Sequence, residues 1–152
     1  MNINAEIISG KSIGDIEIGR SIDLYLPSIY QENRKVELNV YDNPGTKLHS
    51  YKIDGGLITI NADQDGIILN LSCRSPYKGK YKGVLYPSMS IAQIIAATQK
   101  QLLIHGYLVV DNDFGFCFNL PYPYDDDYDF ISQLPNNLVL EEVCVKNKEW
   151  WR

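Results

Sequence analysis

The groups through which this chain could do chemistry are two histidines, three cysteines and a run of carboxylates with tyrosines set among them. A thiol nucleophile needs a neighbouring base, so Cys73, Cys117 or Cys144 would have to meet His49 or His105 in the fold, because no local motif pairs them. The three thiols lie in apolar runs, are odd in number and are far apart in sequence. That pattern predicts reduced, buried side chains rather than a disulfide framework or a CxxC zinc site. His105 follows Leu102-Leu103-Ile104 and precedes Gly106, which suggests the end of a helix, where a cation suits the macrodipole. His49 follows a turn and reads as solvent-exposed.

The carboxylates Asp125, Asp126, Asp127 and Asp129 could in principle hold a hard cation. A calcium loop, however, needs a glycine at its sharp turn and a closing bidentate glutamate, and this segment has neither. Asp111-Asn112-Asp113 also falls short of that pattern. No GxxxxGK, GxGxxG, GxSxG or HExxH arrangement occurs, so the glycines read as turn formers and no cofactor, metal or catalytic residue is assigned. The tyrosines give the acidic run a different meaning. Tyr122, Tyr124 and Tyr128 flank Asp125, Asp126, Asp127 and Asp129, with Phe130 beyond them. Tyrosine offers contact area and a hydroxyl at low entropic cost, and acids around it speed encounter with a basic partner. These seven residues are the candidate partner-binding surface; the other reading is that the tyrosines pack down over a sheet edge.

Charge is unevenly distributed along the sequence. From Gln101 to Val145 there is no Lys or Arg and there are eight acids, whereas from Gly66 to Val110 there is no Asp or Glu. The net charge of −5 argues against general affinity for nucleic acid, which depends on displacing phosphate counterions with basic surface. The segment Arg74 to Lys82 interleaves bases with tyrosines and is the one place where base stacking could be sought. The first residues carry Glu6 and no long apolar run, and no stretch reaches the ~20 apolar residues that span a bilayer, so a soluble cytoplasmic protein without membrane partners is expected.

The elements that must position these residues follow from periodicity. The 152 residues suit a single domain, 1–152. Strands are predicted at Ile13 to Gly19, Val36 to Tyr41, Leu48 to Ile53, Leu57 to Ile60, Ile67 to Cys73, Tyr107 to Val110, Gly115 to Leu120 and Leu138 to Val145, with turns at Asp42-Asn43-Pro44-Gly45, Gly55-Gly56 and Asp65-Gly66. A short helix is expected after Ser21, limited or restarted by Pro27. The main helix is predicted from Ser90 to His105, opened by the capping box Ser90/Gln93, with Ile91, Ile94, Ile95, Thr98 and Leu102 as its inward stripe. Leu69, Leu71, Phe116 and Phe118 are expected to join it in the core. The fold class is therefore α+β: an antiparallel meander with one main and one short helix packed on it. The order strand, helix, antiparallel strands occurs twice, which suggests a weak tandem duplication with pseudo-repeats at 13–73 and 83–145.

In its size, its acidic pI near 4.9, its opening Gly14-Asp15-Ile16-Glu17-Ile18-Gly19 and its segment Tyr122 to Phe130, the chain resembles the bacterial immunity proteins of contact-dependent growth inhibition and other polymorphic toxin systems. The resemblance implies a toxin inhibitor of the bacterial cytoplasm that binds a cognate toxin domain, often a basic nuclease, and is not itself an enzyme. No family motif carries a toxin-contacting residue over to this chain. The competing readings are a small cytoplasmic enzyme using a thiol or carboxylates, and a nucleic-acid-associated module using residues 74–82.

Overall fold

Apolar and polar residues alternate in several short runs, and the regular structure is mainly strand. A computed structural model describes residues 1–152. The expected first strand is a minute hairpin, β1 (Ser12–Ile13) and β2 (Ile16–Glu17), because Gly14 and Asp15 both take positive φ and reverse the chain between them. The Ser21 hydroxyl accepts from the Asp23 N–H and opens a 3-10 turn at Ile22–Leu24. Helix α1 (Leu26–Gln31) follows, with Pro27 in its first turn where the missing N–H has no partner to lose.

Four strands then form a meander: β3 (Val36–Asn43), β4 (Thr46–Ile53), β5 (Ile58–Ala62) and β6 (Ile68–Arg74). After the connector come β7 (Met89–Ser90), helix α2 (Ile91–Ala97), β8 (Gln101–Ile104), β9 (Tyr107–Val110) and β10 (Phe116–Asn119). The acidic loop leads through a 3-10 turn at Ile131–Gln133 to β11 (Val139–Leu140), which pairs with β7, and finally β12 (Glu142–Lys146).

The main sheet has eight strands in the order β3-β4-β5-β6-β12-β10-β9-β8, every pair antiparallel, so the fold is α+β. Two sets of four strands, each preceded by a short helix, meet where β6 pairs with β12 and Ser72 faces Cys144. One sheet face carries Ile58, Ile60, Leu71, Val143, Val145, Phe116, Phe118 and Leu108, all buried. They share one apolar cluster with Ile29 of α1 and Ile91 and Ile94 of α2. On the other face Val109, Cys117 and Cys144 form a small patch, with Trp150 packed against it and donating to the Phe114 carbonyl at 2.6 Å. No helix is long and apolar enough to cross a membrane.

Five expectations are corrected. The capping box at Ser90 and Gln93 is present, but the helix predicted to His105 ends at Ala97. The Thr98 hydroxyl donates to the Ile94 carbonyl, and the Asp111 carboxylate accepts the N–H groups of Gln99 (2.8 Å) and Lys100 (2.9 Å), which draws the chain out of the helix and into β8. Ile91 and Ile94 are buried as expected, whereas Ile95 (39% exposed) and Leu102 (42% exposed) are not. His105 and Gly106, both at positive φ, form the two-residue turn between β8 and β9, so His105 caps no helix. Leu69 is exposed because the β5–β6 register shifts between Asn61/Asn70 and Ala62/Ile68, leaving Leu69 as the extra residue of a bulge. His49, expected in solvent, is half-buried in β4 opposite Val40 and Ala62.

Candidate protein-binding surface

The acidic loop is seated on the tip of the β8–β9 hairpin. The Leu120 N–H bonds to the Gly106 carbonyl at 3.0 Å, and a Cβ added at Gly106 would lie 3.2 Å from the Asp125 carbonyl oxygen. Within the loop the Tyr124 N–H reaches the Pro121 carbonyl at 2.7 Å, and the Asp126 carboxylate accepts the Asp127 N–H at 2.9 Å. The Gln133 side chain closes the loop by accepting the N–H groups of Asp129 and Phe130, both at 2.9 Å. Leu134 is buried and Ile131 packs against the core, so the loop is anchored at both ends.

The tyrosines divide into two kinds. Tyr124 and Tyr128 are half-buried, their ring centroids 5.4 Å apart and tilted by 54°, and both pack against the core. Tyr122 is 88% exposed and Phe130 68% exposed. Between loop and hairpin tip lies a depression of about 420 Å³ lined by Leu103, Leu120, His105, the two packed tyrosines and Asp125, Asp126, Asp127 and Asp129. Six of the seven predicted residues line this depression, and Tyr122 lies outside it. Phe130, outside the predicted set, is with Tyr122 one of the two most exposed apolar groups of the loop. The flanking acids and its position before the apolar pair Ile131 and Leu134 are the signal that could have placed it there.

The segregation of charge in the sequence becomes narrower in space. Among the eight acids between Gln101 and Val145, four are engaged elsewhere. Asp111 holds the end of α2, Glu141 accepts from the Ser88 hydroxyl at 3.0 Å, and Glu142 faces Arg74 at 3.5 Å and also accepts from Asn119. Asp113 accepts from the Ser9 hydroxyl, the Tyr81 phenol and the Gly115 N–H. Burial pushes its pKa up, but those hydrogen bonds and the nearby Lys148 outweigh it, so the carboxyl titrates below its ordinary range. Asp125, Asp126, Asp127 and Asp129 are exposed and take part in no ion pair.

The other candidate groups are placed differently. Cys73, Cys117 and Cys144 lie in β6, β10 and β12, all reduced and buried, with Cys117 directly opposite Cys144. Burial pushes the Cys73 thiol far up, and the neighbouring Cys144 together with burial does the same to Cys117, which leaves little thiolate at neutral pH. In the basic connector the aromatics face inward. Tyr77 is buried, accepts the Gly14 N–H and donates to the Ala5 carbonyl at 2.6 Å; burial raises its phenol to about 12. Tyr81 is buried and stacks on Phe116 at 4.2 Å, while Lys82 and Lys80 lie over the rings of Tyr81 and Tyr86. No group of three or more His, Cys, Asp or Glu side chains converges as a metal site would require. Comparison with models of known protein families, with curated proteins and with solved structures finds no match to this chain.

Proposed function

We propose that this chain is an inhibitor of a toxin: an immunity protein of the bacterial cytoplasm that binds a basic, nuclease-type toxin domain one-to-one through the acidic loop. The observation that carries the reading is the conjunction at residues 122–130. Four exposed carboxylates without ion pairs lie between two exposed aromatic residues, Tyr122 and Phe130, along a loop anchored at both ends. Carboxylates in that arrangement attract a cationic surface built for a polyanion, and the flanking aromatic groups supply the area that holds a complex together. The inward-facing Tyr77 and Tyr81 lend no support to base stacking by the connector, and the raised thiols lend none to cysteine catalysis.

The test is co-expression with the product of the adjacent gene. The expected result is that the neighbour is toxic alone, that this chain restores growth, and that the two co-purify in equal amounts. A non-toxic neighbour, or toxicity that persists when this chain is abundant, would overturn the reading.

A further inference from the structure

The free edge of the main sheet at β3 is independent of the acidic loop, which sits at the opposite end of the strand order on the β8–β9 tip. β3 pairs with β4 over eight residue pairs without a bulge, from Val36↔Ile53 to Asn43↔Thr46. The hairpin turns at Pro44-Gly45, so Asn43 and Thr46 form a hydrogen-bonded pair, and the bond from the Asp54 N–H to the Lys35 carbonyl at 2.8 Å shows the same phase at the other end. Odd-numbered residues of β3 thus bond to β4. Val36, Leu38, Val40 and Asp42 turn their N–H and C=O groups outward, where no strand receives them. Leu38 and Val40 are also half-exposed on one sheet face (51% and 49%), and Tyr41 is exposed on the other. Natural edge strands are usually protected by shortness, bulges, proline or charged side chains. The other edge, β8, has four residues, whereas β3 has eight, with no bulge and no proline, and its charges are confined to Glu37 and Asp42.

We infer that β3 is a dimer interface, pairing antiparallel with β3 of a second copy of this chain across a two-fold axis at Leu38. The self-complementarity of the strand selects both the partner and the register. With Leu38 opposite Leu38 of the second copy, Val36 meets Val40, so all three apolar side chains gather on one face. Each of these pairs lies at outward-bonding positions and exchanges two backbone hydrogen bonds. On the other face Lys35 comes opposite Tyr41, and Glu37 opposite Asn39. No like charges are opposed. A two-fold contact of this kind closes on itself and leaves both acidic loops at the far ends of a joined sheet.

Sedimentation of the full chain is expected to show a mass rising with concentration from 17.3 kDa to twice that value. Leu38→Lys and Leu38→Glu are each expected to remain monomeric, because each places like charges against each other at the axis, and an equimolar mixture of the two is expected to restore the dimer. In the unaltered chain, amide hydrogen exchange at Val36, Leu38 and Val40 is expected to slow as concentration rises, a readout that needs no variant to fold. A chain that stays monomeric, a dimer insensitive to L38K, a mixture that fails to re-associate, or exchange at these amides that does not change with concentration would overturn the inference. None of these outcomes bears on toxin binding.

Discussion

At Asp113 a single carboxylate ties three parts of the chain together: Ser9 from the N-terminal segment, Tyr81 from the connector and Gly115 at the entry to β10. Gly115 has no room for a side chain, since a Cβ there would lie 2.3 Å from the Ser9 hydroxyl, so the three groups have closed around the carboxylate. Asp113→Asn removes the charge and one acceptor, and is expected to cost about 1–3 kcal/mol at pH 7. The effect depends on pH in a definite direction. The folded carboxyl titrates below its unfolded value of about 3.9, so its contribution is complete above that pH and is lost as pH falls through the folded pKa. Urea unfolding of the two proteins is therefore expected to show a clear gap at neutral pH that narrows in acid. A gap that stayed constant down to acid pH would show that the charge is not what the site uses.

Among the elements, α2 separates what sequence reveals from what it hides. Ile94 is fully buried and Ile95 is 39% exposed, so Ile94→Ala is expected to cost about 2–5 kcal/mol, and Ile95→Ala about 1 kcal/mol or less, in thermal or denaturant unfolding. The hairpins were legible because Asp65-Gly66, Pro44-Gly45 and Gly55-Gly56 supply positive φ between apolar runs. The start of α2 was legible because its cap is local. Its end was not, for two reasons. Leu102 continues the helical spacing of Ile91, Ile94 and Ile95, and the group that stops the helix is Asp111, which comes into position only once β8 and β9 have paired. His105-Gly106 is equally compatible with a helix stop and a two-residue hairpin turn, and only the pairing of Ile104 with Tyr107 decides between them. The acidic loop was legible as a loop from its two prolines and its acids. Which of its aromatics face out was not, because Tyr122, Tyr124, Tyr128 and Phe130 differ only in how the loop lies on the hairpin tip.

For the whole molecule, the densest run of exposed acids outside ion pairs is the four in the loop, and the division of the aromatics assigns a different role to each group. Replacing Asp125, Asp126, Asp127 and Asp129 with Asn is expected to slow association with the toxin domain by about tenfold or more at low salt. The difference is expected to fade as salt rises, since exposed charges are screened beyond about 8–10 Å. Tyr122→Ala and Phe130→Ala are expected to quicken dissociation, each costing about 2 kcal/mol or more if central to the contact. Tyr124→Ala is expected to loosen the loop itself, because its ring packs on the core. Stopped-flow association and dissociation rates measured across a salt series separate the three. Unchanged association in the fourfold variant would place the steering surface elsewhere.

The pairing of β12 between β6 and β10 has a consequence for how the chain is made. The first four strands of the sheet and the next three leave the ribosome as two separate meanders, and β12, which lies between them, is the last strand to emerge. Until then β6 and β10 are both open edges, and Leu71, Cys73, Phe116 and Phe118 lack the cover of Val143 and Val145. A nascent or truncated chain lacking β12 thus presents two open strand edges, β6 and β10, with apolar side chains uncovered, the exposure that leads slow β-rich folders to aggregate. β12 acts as a keystone of this sheet, and a cell making this protein has reason to shield the two meanders until β12 has emerged.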